Sequence, residues 1–241
     1  MRTTTANDCF EALGSAISFA RMLQFGESMF PIGGFSFSCA LESAVQKGVV
    51  TDASTLRAFT LTAVEQAARG DGIAVIAAHR AASAGDVDAL IHIDGEVYAR
   101  KLSDEARLMS VRMGKRFTEM GAQVIGAPLL RKWLECIDAS VVMGCYPVAL
   151  GMNFAIQNLT AQQAFVVLQY GTASTILSAA LRLMKISHVE TQRILFDLSG
   201  LTEAAYESAA RAHLSSMASY APLAEILAAI HTKAHVRLFM S

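Results

Sequence analysis

No charged residue occurs from Ala139 to Leu181. A stretch of that length belongs inside a protein core, inside an interface or inside a bilayer, because water-facing helices carry charge on their outer side. A bilayer span needs about 20 predominantly apolar residues in a row. The stretch is long enough but is broken by Asn153, Gln157, Asn158, Thr160, Gln162, Gln163 and Gln169, and by Gly144, Pro147, Gly151 and Gly171. Two buried helices divided near Asn158, over 146–157 and 161–184, fit this pattern better than a membrane span. The chain as a whole is 53% hydrophobic and 17% charged, with a mean hydropathy of +0.38, against about 25% charged in an ordinary soluble domain. It therefore buries large surface in partners or enters a membrane, and the polar interruptions favour partners. A net charge of −1 and a pI near 6.6 leave no basic footprint for nucleic acid. The N-terminus, MRTTTANDCFEALGS, has no apolar signal core, so the expected location is cytoplasmic.

Helical periodicity dominates the rest. Leu102, Ala106, Met109, Met113, Phe117 and Met120 form one apolar stripe at spacings of three and four, with Ser103 as N-cap and Asp104 and Glu105 in the first turn. Thr160 with Gln163 and Ser187 with Glu190 fit capping boxes, while Thr202-Glu203 and Pro222 mark further helix starts. Helices are predicted near 14–25, 38–47, 53–69, 71–83, 86–100, 102–120, 128–136, 146–157, 161–184, 188–197, 203–217 and 222–235. Loops are short, β-type alternation is scarce, and no repeat or linker divides the chain. The expected fold is all-α: a single-domain helical bundle of about ten or more helices over 1–241. A flexible N-terminal segment (about 1–12) and C-terminal tail (about 236–241) are expected at its ends.

One segment departs from this pattern. MFPIGGFSFSCALESAVQKGVV (Met29–Val50) places Pro31, Gly33 and Gly34 together, which ends a helix and bends the backbone. Phe30, Phe35 and Phe37 are interleaved with Ser36 and Ser38, a pattern that a plain solvent loop does not need. A shaped, partly buried turn feeding a helix from Ser38 is the expectation. It serves either as a structural corner or as a docking surface.

Chemistry is sparse. No H-E-x-x-H, Walker A loop, G-x-S-x-G or Asp-rich helix motif occurs, and PIGGFS lacks the Lys-Ser/Thr of a phosphate loop. Cys9, Cys39, Cys136 and Cys145 show no zinc spacing and read as reduced thiols. His231 and His235 lie four apart and would share a helix face, a weak candidate for a metal pair. Two imidazoles with no local third ligand on an exposed terminal helix are instead expected not to hold a transition metal tightly. No cofactor is expected. Arg112, Lys115 and Arg116 read as a solvated helix face. Gly114 beside them costs about 1 kcal/mol in a helix interior, so close approach of another backbone is expected there.

These same segments resemble the UreF family of urease accessory proteins. The similarity covers nearly the whole chain and is densest at FPIGGFSFSCALE (Phe30–Glu42), EARLMSVRMGKRF (Glu105–Phe117), YPVALG (Tyr146–Gly151) and RLFMS (Arg237–Ser241). The resemblance implies an all-α, dimeric, non-catalytic protein. Such a protein joins UreD (UreH in some species), and the two recruit and regulate the GTPase UreG on apo-urease, so that nickel reaches the active site. It further implies that the PIGGFS corner and the tail belong to the recruiting surface, with partner-binding roles for Phe35, Glu42, Arg112, Arg116, Arg237, Leu238 and Phe239. Phe35 stands where many members carry a Tyr, keeping the aromatic ring without the hydroxyl. Family tails commonly read H-E-x-x-Y-S-R-L-F; here Thr232 follows His231, and His235 replaces the Tyr. The alternatives are a helical enzyme of isoprenoid-synthase type, opposed by the missing Asp-rich motif, and a membrane-embedded subunit.

Overall fold

The structure is a computed structural model, and it describes residues 16–27, 30–231 and 238–239. Among these residues every regular element is helical. The α-helices are α1 (Ala16–Gly26), α2 (Leu41–Gln46), α3 (Ala53–Arg69), α4 (Asp71–Ala84), α5 (Val87–Arg100) and α6 (Asp104–Ile125). They continue as α7 (Pro128–Asp138), α8 (Tyr146–Ile156), α9 (Ala161–Leu183), α10 (His188–Ser199), α11 (Thr202–Arg211) and α12 (Pro222–His231). Short 3-10 turns occupy Gly34–Ser36 and Leu214–Ser216.

The charge-free stretch becomes α8 and α9, and the division falls where the polar residues cluster. Asn158 takes a left-handed conformation at φ 57, and Thr160 with Gln163 closes the capping box that starts α9. Helix α8 is the centre of the bundle. Its residues Pro147 to Phe154 are all buried, with α4 along one side and α6 along another. Helix α9 is long and apolar enough to cross a membrane, yet 56% of its most apolar window is buried inside the protein. It packs on α3, α4, α10 and α1, as the core helix of a globular bundle does.

Small residues let these helices approach closely. A Cβ added at Gly114 of α6 would collide with the carbonyl oxygen of Gly144, and one at Gly151 of α8 would lie 2.6 Å from that of Val75. The backbone contact expected at Gly114 is therefore present, against the entry to α8. The buried face of α6 runs through Ser110, Gly114, Phe117, Thr118 and Gly121. This face is rotated from the predicted stripe: Ala106, Met109 and Met113 line a cavity, and Leu102 is exposed. Glycine at the contact outweighs hydrophobicity in setting which side faces α8. The N-terminus of α8 is anchored by the buried Asp94 of α5. Its carboxylate accepts from the N–H groups of Met143 (2.7 Å), Gly144 (3.1 Å) and Cys145 (2.7 Å), the segment that leads into the helix, of which Cys145 is the N-cap.

Boundaries shift where local geometry overrides periodicity. The helix expected from Ser38 begins at Leu41, because Cys39 (φ 52) and Ala40 (φ 66) are both left-handed and cannot join a right-handed helix. The helix expected over 203–217 stops at Arg211, and Leu214–Ser216 forms a 3-10 turn. Helix α6 runs on to Ile125 and ends at Gly126, φ 74. The N-terminal segment 1–12 and residues 232–235 of the last expected helix lie outside the described residues.

Gly114→Ala tests the α6–α8 contact. Its methyl would meet backbone rather than a yielding side chain, so a loss of about 1–3 kcal/mol or more is expected. Urea unfolding followed by circular dichroism measures it; an unchanged midpoint would show that the contact is loose.

Candidate functional site

The PIGGFS corner sits between α6 and α9. Gly33, at φ 81, turns the chain into the Gly34–Ser36 3-10 turn, a conformation that suits glycine. Ser36 Oγ donates to the Gly33 carbonyl at 2.7 Å. The three aromatics of the segment then divide. Phe30 packs on Phe25 and Phe117 at ring-centroid distances of 5.0 and 5.4 Å, Phe37 is fully buried, and Phe35 is 70% exposed. Arg116 Nε donates to the Pro31 carbonyl at 3.3 Å and pairs with Glu119, bracing the turn from α6. Arg112, one helical turn earlier, is exposed.

On the other side Arg182, near the end of α9, joins the turn to the C-terminal tail. Its Nη2 donates to the Phe35 carbonyl at 3.1 Å, and its guanidinium lies over the Phe239 ring, 4.2 Å from the centroid, within cation–π range. Phe239 is buried in the cluster formed by α2, α9, α10 and α12, while Leu238 beside it is 64% exposed.

Glu42, in the first turn of α2, holds the tail from beneath. Its Oε1 accepts from the Leu238 N–H at 2.8 Å, and its Oε2 accepts from the Phe239 N–H at 3.1 Å and from His231 Nε2 at 2.9 Å. The other ring nitrogen of His231, Nδ1, lies 3.4 Å from Glu105 Oε2, an electrostatic contact across a ring with no solvent exposure. Burial pushes the Glu42 carboxyl up, but the hydrogen bonds from Leu238, His231 and Phe239 together outweigh it and hold the group below the usual carboxylate range. Beneath the turn lies a cavity of about 300 Å³, lined by Gly34, Cys39, Lys101, Glu105 and Met113 among others. Lys101 Nζ there pairs with Asp71 at 2.6 Å. Burial, with the Glu105 charge adding, pushes the Cys39 thiol up to about 12, which leaves it a poor nucleophile.

Of the residues singled out from the sequence, Phe35, Glu42, Arg116, Leu238 and Phe239 come together around this corner. Arg237 and His235 lie outside the described residues. His231 differs from its expectation: instead of standing on an exposed helix face, it is buried and committed to two carboxylates. Glu42 is likewise turned inward, so its side chain faces the tail. Sequence reading missed Arg182, Glu105 and the Glu42–His231 pair. The available signals were Arg182 as the first charge after the charge-free stretch, and Glu42 as the one charged residue among the small and apolar residues of CALESAV.

The site is an exposed aromatic turn tied through Arg182 to a tail held by a buried carboxylate on an all-helical bundle, and among the described residues no group of three or more His, Cys, Asp or Glu side chains is placed to hold a metal ion. The family model described as UreF matches residues 50–199. The chain is 50% identical to "Urease accessory protein UreF 2" of Brucella canis over 241 residues, covering 100% of this chain and 99% of that protein. It is 50% identical to "Urease accessory protein UreF 1" of Brucella melitensis over the full length of both. Identity to "Urease accessory protein UreF" of Yersinia pseudotuberculosis is 47% over 225 residues, 93% of this chain and 99% of that protein. The chain belongs to the UreF family of urease accessory proteins.

The lowered Glu42 pKa carries a sign. A carboxylate favoured in the folded state stabilises docking above its ordinary pKa and loses that contribution as the pH falls through the lowered native value. His231 hydrogen-bonds it directly, and Glu105 lies beyond the far side of the His231 ring. On acidification, hydrogen-exchange protection at the Leu238 and Phe239 amides is expected to fall before that of the α8 core. Equal loss at both places would show that the tail is not held by this carboxylate.

Proposed function

We propose that this chain is a non-catalytic assembly subunit of urease maturation, acting in the cytoplasm as a homodimer. It joins UreD (UreH), and the pair recruits and regulates the GTPase UreG on apo-urease for nickel insertion. The observation that carries this reading is the composite corner. An exposed aromatic on a turn braced from both sides stands within one guanidinium of the docked tail. Phe35 loses little freedom when a partner buries it, and exposed aromatics of this kind are common anchors of interfaces. Leu238 adds a second apolar contact, and Arg237 extends the surface by resemblance. Arg112, Arg116 and Arg182 supply cations for an acidic rim on the partner. The apolar composition fits a subunit of a larger assembly.

Affinity capture from cells expressing the urease operon tests the reading. Phe35→Ala is expected to leave UreD (UreH) bound and to weaken UreG capture about 30-fold, the size of a ~2 kcal/mol anchor. Capture of UreG at wild-type level by this variant would remove Phe35 from the interface. The homodimer is checked separately by light scattering, where a strictly monomeric mass at micromolar concentration would refute it.

A further inference from the structure

We infer that Glu42, set by His231, is a positioning residue that clamps the C-terminal tail and so determines how the tail is displayed to a partner. The Glu42 side chain is buried, and its contacts with the tail and His231 lie inside the protein. Its carboxylate has two oxygens with about four acceptor positions, and those positions are taken by the N–H groups of Leu238 and Phe239, by His231 Nε2 and, at 3.5 Å, by Gln46 Nε2. Two of the four donors are backbone groups, so the clamp holds the path of the tail without holding its side chains. The Leu238 side chain therefore stays exposed while the Phe239 ring is inserted under Arg182. Its location suits an anion, because Glu42 lies in the first turn of α2, where the helix dipole favours negative charge.

His231 gives the clamp a second function. It is the last residue of α12, and its ring binds the same Oε2 that binds the Phe239 N–H. The chain positions on both sides of 232–237 are thus tied to one carboxylate. Docking of α12 and docking of the tail are coupled through it, and Glu105 on α6 lies 3.4 Å from the Nδ1 on the far side of the ring. Because Arg182 touches both the Phe35 carbonyl and the Phe239 ring, a released tail also unsettles the PIGGFS turn. The consequence for a partner rests on the proposed UreG reading; the clamp itself does not.

Glu42→Gln keeps the shape of the side chain but replaces one acceptor oxygen by a donor, which faces N–H groups that are already donors. His231→Leu removes the ring donor while keeping bulk, and His231→Gln restores a donor near the position of Nε2. Carboxypeptidase trimming of the isolated protein, followed by mass spectrometry, reads tail release directly. Removal of one or both charge-assisted bonds is expected to raise the trimming rate about tenfold or more in Glu42→Gln and His231→Leu. His231→Gln is expected to remain near wild type. Urea midpoints measured alongside separate tail release from global destabilisation. Trimming that rises only in proportion to global unfolding, or no rescue by His231→Gln, would overturn the clamp. UreG capture by the same variants then tests the consequence. Fast trimming with normal capture would leave the clamp standing and overturn the role of the tail in recruiting the GTPase.

Discussion

The contact between α6 and the entry to α8 is a backbone-to-backbone approach that only glycine permits. Gly114 meets the Gly144 carbonyl and the Cys145–Tyr146 peptide with no room for a methyl. That approach brings the helix carrying Glu105, Met113 and Arg116 against a fully buried central helix. The segment leading into α8 is held there by Asp94, which accepts from the Met143, Gly144 and Cys145 N–H groups. Burial of a charge is tolerable when hydrogen bonds surround it. The absence of charge from Pro147 to Phe154 follows from the same geometry, because that run of α8 has no solvent-facing side on which a charge would stay hydrated.

Around this centre the protein builds a surface from pieces distant in sequence. The turn at Gly34–Ser36, the end of α9 and residues 238–239 meet through one arginine and one carboxylate. Neither group is an ordinary surface charge. Arg182 stacks and donates at once, which a guanidinium does well and an ammonium does poorly. Glu42 is enclosed by donors, so it remains ionised in a buried position. Belonging to the UreF family gives this surface its context, and the geometry shows which side chains are outward and which are spent inward on holding them.

Much of the architecture was legible. Capping boxes at Thr160 and Ser187, the N-cap at Ser103 and proline at Pro222 are local signals, read within three or four residues, and the elements they mark are present. Cys39 and Ala40 show where such reading fails. Nothing in the side chain of either residue announces a positive φ, and tertiary packing imposes it, delaying α2 by three residues. The predicted stripe on α6 failed in direction for a related reason: hydrophobic periodicity locates apolar side chains, whereas the closest packing follows the smallest ones.

Local signals in the chain suffice for the all-α class, the order and approximate ends of the helices, the burial of α8 and of much of α9, and the bend at Pro31–Gly34. Each depends on neighbours a few residues apart. The burial of His231, the turn of Glu42 toward the tail and the link from Phe35 through Arg182 to Phe239 arise from the packed fold. These pairings cross 189, 196 and 147 residues of chain for His231, Leu238 and Phe35 respectively. Periodicity gives no account of such distances, because a side chain's partner across the fold is set by how whole helices pack.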